Sequence, residues 1–225
     1  MNPPLSVAHP IRTVTLWVAS AFVLAMAGRF WLNDALPYMT DYAEDAFRRY
    51  WPIRHPLLLH IVTGSVALFA GPFQLWSGFQ RRFRRVHRWT GYAYVVAILL
   101  SASSSFYLAL YARPDFGLSL FILAMVWLAS VGMAVVAVRN KRLDAHQEWM
   151  IRSYIITFSF VSYRYLVGLS IFRELGPSRP AMVLWISWVI PMMVFELFLQ
   201  WDRVRPLKRA SARTEAADAR THVSF

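Results

Sequence analysis

Apolar residues in this chain come in long blocks, without the short alternation of strands or the narrow stripe of a surface helix. A block of about 18 or more apolar residues with few charges reads as a membrane-spanning helix. Six such blocks are visible, at about 13–33, 55–78, 86–112, 117–138, 149–172 and 180–201. They predict an all-α fold, a polytopic transmembrane helical bundle of six spans occupying residues 1–202 as one domain. Residues 203–225 are polar and are expected to form a disordered cytoplasmic tail. The first block follows Arg12 and ends in Ala25-Met26-Ala27, an arrangement shared with signal peptides, but it is read here as a retained helix. Between the first two blocks, Tyr42, Ala46 and Tyr50 repeat at helical spacing, which suggests a short interfacial helix as readily as an ordered loop.

Composition agrees with the pattern. The chain has 225 residues, of which 57% are hydrophobic and only 16% charged, against about 25% charged in soluble domains. It contains no cysteine, which excludes disulfides, cysteine-ligated iron–sulfur clusters and covalently attached haem. Any cofactor must be held by histidine, carboxylate or packing.

The net charge of +12 would suit nucleic acid, but its distribution points to lipid. Arg81, Arg82, Arg84, Arg85, Arg88, Arg139, Lys141, Arg142, Arg203, Arg205, Lys208 and Arg209 fall on one side of the predicted bundle, twelve against six on the other. The six are Arg48, Arg49, Arg54, Arg113, Arg173 and Arg179. The richer side is expected to be cytoplasmic, with both termini there, in a bacterial inner membrane whose anionic headgroups meet the arginines. No nucleic-acid partner is expected.

The polar residues inside the blocks carry the candidate chemistry. With about 100° of rotation per residue, His60, Gly64, Gly71 and Gly78 fall within about 40° of one another. A histidine thus heads a stripe of small residues that admits a neighbouring helix or a flat ligand. On the next helix His87, Gly91, Tyr94, Ser101 and Ser105 share a face. The fifth block places His146, Ser153, Thr157 and Arg164 along one stripe. Two polar layers follow, His60 with Arg164 toward the outside, and His87, His146, Glu148, Arg152 and Glu196 toward the inside. An arginine within a membrane is costly and normally faces the bundle interior, so Arg164 is expected there.

Haem b is the sharpest reading of these layers. Two neutral imidazoles from different helices at one depth, His87 and His146, could ligate its iron. Gly91 and Gly64 supply small-residue surface, and Arg88 and Arg152 could meet propionates, with His60 and Arg164 as the second polar layer. Electron transfer with a redox partner would follow. His, His and Glu could also hold zinc or iron. A structural reading stays open beside these: histidines at helix ends cap loops, and small-residue stripes pack helices. So does a small-molecule or ion transporter with helices broken at Pro72 and Pro191, or a non-catalytic partner subunit.

Three segments, LLLHIVTGSVALFAGPFQ, RVHRWTGYAYVV and HQEWMIRSYIITFSFVSYRY, resemble an uncharacterised bacterial membrane-protein family, domain of unknown function 2306. The resemblance covers roughly His55 to Tyr165 and implies a polytopic helical bundle in the cytoplasmic membrane. More loosely, the chain is similar in plan to b-type cytochrome and ferric-reductase-like bundles, but lacks a ligand pair on each of two helices.

Overall fold

A computed structural model describes residues 10–40, 48, 50–80 and 83–221. The interfacial helix suggested by Tyr42 and Ala46, the loop arginines Arg49, Arg81 and Arg82, and the tail histidines His9 and His222 fall outside them. The described chain is helical, with no strand among these residues. In order the helices are α1 (Pro10–Phe30), α2 (Pro37–Thr40), α3 (Arg54–Gln80), α4 (Arg84–Tyr111), α5 (Pro114–Arg139), α6 (Leu143–Thr157), α7 (Ser159–Val167) and α8 (Arg179–Thr221). One π-helical turn, Trp31–Ala35, continues α1, and 3-10 turns occupy Trp51–Ile53 and Ser170–Ser178.

Four segments are long and apolar enough to cross a membrane: Trp51–Gln80, Arg84–Tyr111, Pro114–Arg139 and Leu175–Trp201. The sequence pattern predicts six crossings, and the remaining two blocks are built differently. The first folds as α1 and then widens into the π-turn. The fifth is divided at Phe158 into helices of 15 and 9 residues, each shorter than the roughly 20 residues one crossing needs. The last block forms the first part of α8, which runs on as one helix to Thr221. Beyond Trp201 the chain is rich in Ala, Arg, Glu and Lys, good helix formers, so local propensity continues what the apolar pattern ends.

The long helices pack chiefly against their neighbours in the chain. The most extensive contacts join α3 to α4, α5 to α6, α4 to α5, and α7 to α8. The α5–α6 turn is a Schellman motif: Lys141 takes the left-handed conformation (φ 59), while Arg142 N–H donates to Ala137 O at 2.9 Å and Lys141 N–H to Val138 O at 3.0 Å. The core contains Ala67, Tyr94, Ile98, Trp127, Tyr154 and Leu184 from five helices. Large apolar side chains also cover the outside, among them Val66, Leu99, Leu118, Met193 and Phe198. An apolar exterior of this extent is unstable in water and suits hydrocarbon.

Pro72 lies inside α3, and the helix runs through it. The small-residue stripe meets neighbouring side chains at each step. A Cβ on Gly64 would touch Ser101 Oγ at 3.4 Å, one on Gly71 would overlap the Tyr154 ring, and one on Gly78 would lie 3.5 Å from His87 Cε1. The stripe on α3 therefore receives α4 and α6.

Candidate functional site

His60 is held from α4. Its Nδ1 lies 3.1 Å from the Ser101 carbonyl, 3.0 Å from Ser101 Oγ and 2.9 Å from Ser105 Oγ. Both hydroxyls have carbonyl acceptors of their own, Ser105 donating to Ser101 O at 2.9 Å and Ser101 to His60 O at 3.3 Å. The ring proton is accordingly assigned to Nδ1, leaving Nε2 as an acceptor with no protein partner among the described residues. The ring is half-buried and keeps accessible surface. It does so because it borders a cavity.

That cavity has a volume of about 550 Å³. Its lining runs along α5 from Asp115 to Trp127, a length of about 18 Å at 1.5 Å per residue. At one end it reaches the α4–α5 turn (Arg113) and the start of α8 (Pro180), and at the other it reaches Trp127, Ile156 and Thr157. Most of its wall is apolar or aromatic, which is the usual make-up of a small-molecule site.

Arg164 of α7 also lines this cavity, with its side chain partly exposed. Its counter-charge is Asp34, with Nε 3.4 Å from Oδ1. Asp34 stands on the π-turn after α1. One extra residue per turn shifts the facing of everything that follows, a device common at functional sites. Trp31, on the same turn, donates its indole N–H to Ser65 Oγ of α3 at 3.0 Å and so fixes the turn against the cavity wall.

The floor is a hydrogen-bonded knot between three helices. Thr157 Oγ1 donates to Ser153 O at 2.9 Å and accepts the Trp127 indole N–H at 3.0 Å. Tyr94, fully buried, places its hydroxyl 3.0 Å from both Thr157 Oγ1 and Ser153 Oγ. Beside this knot the chain breaks between α6 and α7, and Ser159, only 1% exposed, lines the cavity with its hydroxyl unpartnered. A buried hydroxyl without a partner costs stability. Its oxygen has essentially no accessible surface, so the hydroxyl is shut off from the cavity that the residue borders.

The opposite end of the bundle holds the other polar layer. His87 Nδ1 lies 2.8 Å from Ser77 Oγ, whose own proton goes to Phe73 O at 2.7 Å. His146 Nδ1 donates to Ala134 O at 2.9 Å. Each therefore anchors through Nδ1 and leaves Nε2, as His60 does. Gln74 Nε2 donates to His87 O at 3.0 Å and also contacts Thr90 Oγ1, while a Cβ on Gly91 would meet Gln74 Oε1 at 3.4 Å.

The arginines of this end are differently employed. Arg88 is exposed beside Arg85, Trp89 and Tyr92. Arg152 forms a two-point ion pair with Glu196, Nε to Oε1 at 2.6 Å and Nη2 to Oε2 at 3.0 Å, and stacks over Trp149. Glu148 is claimed by Arg203 at 2.7 Å. Among the described residues no group of three or more His, Cys, Asp or Glu side chains could hold a metal ion. The suggested His, His and Glu set is therefore not gathered, because arginine partners draw the carboxylates away.

Asp34, Ser159 and Trp127 went unremarked in the sequence reading. A carboxylate at a predicted span end was the available signal for Asp34, but only the π-turn reveals where it faces.

An apolar exterior, helices of membrane-crossing length and a polar-edged cavity inside the bundle define a polytopic helical membrane protein. The model of DUF2306, a family described as predicted membrane proteins, matches residues 57–199, and the chain belongs to that family. No curated protein and no solved structure matches the chain.

Proposed function

We propose that this protein binds a small, lipid-soluble molecule in the cavity bordered by His60 and Arg164, and recognises it for uptake, export or presentation to a partner. One observation carries the reading: His60, pinned through Nδ1 and with no partner for Nε2 among the described residues, stands on the wall of a cavity of about 550 Å³. A fixed acceptor in a largely apolar chamber is what a specific site needs. In this reading α1 and the pair α6–α7 also cross the membrane, giving six crossings. Both termini are then cytoplasmic, in a bacterial inner membrane, and the cavity lies toward the outside, as the distribution of Lys and Arg favours. Molecules co-extracted with the protein from native membranes, identified by mass spectrometry, test it. A small molecule retained by the wild type and lost from His60→Ala supports the reading, and retention of nothing but bulk phospholipid by both overturns it.

A second reading concerns the other end. His87 and His146 both leave Nε2 after binding through Nδ1, and histidines that ligate metal normally tie down their other nitrogen in this way. A b-type haem held by the two would supply one-electron chemistry. Purified protein expressed with ample haem should then show a dithionite-reduced α-band that either His→Ala change removes. A colourless, metal-free protein sinks this reading and leaves the first untouched.

A further inference from the structure

The cavity's polar groups are unevenly placed, and their placement specifies a ligand. His60 offers an acceptor only, since its ring proton is committed to the Ser101–Ser105 side. Thr157 is saturated by Ser153, Trp127 and Tyr94 and has nothing left to give. Arg164 meets Asp34 with Nε 3.4 Å from Oδ1, and the guanidinium is partly exposed and can donate further.

Charge narrows the choice. The charged side chains on the lining are Asp34, Arg113, Asp115 and Arg164. They pair as Arg164–Asp34 and Arg113–Asp115, each at 3.4 Å. An anion would have to displace Asp34 from Arg164, and a cation would have to displace the arginine from either carboxylate. Both pairs are partly exposed, so breaking one costs little, but an ion would still have to compete with a partner already in place. A neutral ligand leaves both pairs intact. Aromatic walls, including Phe116, Phe160 and Trp127, suit a ring.

Resting on the cavity reading above, we infer that the ligand is a neutral lipophilic phenol of the quinol type: one ring O–H donates to His60 Nε2, and a second oxygen accepts from Arg164. The proposal is one of binding, and no redox step is attached to it. Free phenols arriving from outside and alkylated quinols of the membrane share this chemistry, and the length of the alkyl tail separates them.

The experiment uses the full chain in phospholipid nanodiscs. Equilibrium binding is measured for radiolabelled decyl-benzoquinol, its quinone, its dimethyl ether, and the tailless hydroquinone. The quinol should bind about tenfold to a hundredfold more tightly than the ether, because the ether leaves the His60 nitrogen unpaired. The His60→Ala protein should bind quinol and ether alike. Equal binding of quinol and ether to the wild type overturns the phenol assignment while the cavity reading stands. Absence of specific binding by all four probes, with no small molecule co-extracted from membranes, overturns both. Tighter binding of decyl-benzoquinol than of hydroquinone assigns the ligand to the membrane pool, and the reverse assigns it to the aqueous phase.

Discussion

The Tyr154 hydroxyl donates to the Leu68 carbonyl at 3.3 Å, and Leu68 is the residue whose helical partner Pro72 removes. Proline at position 72 has no N–H to offer the carbonyl four residues earlier. A side chain from α6 therefore completes the hydrogen bonding of α3 across the helix interface. The same ring lies flat enough against Gly71 that a Cβ there would overlap it.

Two substitutions separate these contributions. Tyr154→Phe keeps the ring and loses the donor, and should lower stability by about 1 kcal/mol. Gly71→Ala forces the ring out of its seat and should cost more, about 1–3 kcal/mol as for other overpacked sites. Thermal unfolding of the detergent-solubilised protein, followed by helical circular dichroism, ranks them. A larger effect from Tyr154→Phe than from Gly71→Ala contradicts this account of the interface.

The floor of the cavity should behave as one unit. Tyr94→Phe and Trp127→Phe each remove a partner of the Thr157 hydroxyl and should destabilise by about 1–3 kcal/mol through the groups left unpaired. The double variant should cost measurably less than the two effects added, because the shared hydroxyl can be lost only once. Strict additivity in unfolding measurements argues that the contacts are independent.

Asp34 and Arg164 form a partly exposed pair at the cavity margin. Asp34→Asn should change overall stability by no more than about 1 kcal/mol, yet it frees the guanidinium to attract anions. An anionic analogue of any ligand retained by the wild type should gain affinity in this variant. The exchanged pair Asp34→Arg with Arg164→Asp should return the preference toward the neutral form. If the single change leaves anion affinity where it was, the pairing does not set the charge of the ligand.

Topology can be read directly because the natural chain contains no cysteine. A cysteine placed at Arg113 should react with a membrane-impermeant maleimide added to intact cells, and one at Arg139 only after permeabilisation. Labelling of both from the same side is incompatible with α5, Pro114–Arg139, as a single crossing.

Much of the architecture is written in one-dimensional pattern. Apolar blocks longer than a bilayer is thick, with arginines between them, require a membrane-embedded helical bundle whatever the tertiary detail. Helical periodicity alone also puts His87, Gly91, Tyr94, Ser101 and Ser105 on one face, and the buried positions of Tyr94, Ser101 and Ser105 follow that face.

Tertiary structure decided the rest. Whether small residues beside a histidine admit a helix or a ligand depends on what packs there, and the Gly64 stripe is filled by Ser101, Tyr154 and His87. A single π-turn rotates Asp34 toward Arg164, and sequence periodicity at 100° per residue cannot register a local change of pitch. Arg152 was open to propionates on paper, but Glu196 on a helix 44 residues away holds it. The partners of a charged group are set by the nearest opposite charge in space, and distance along the chain carries no information about that.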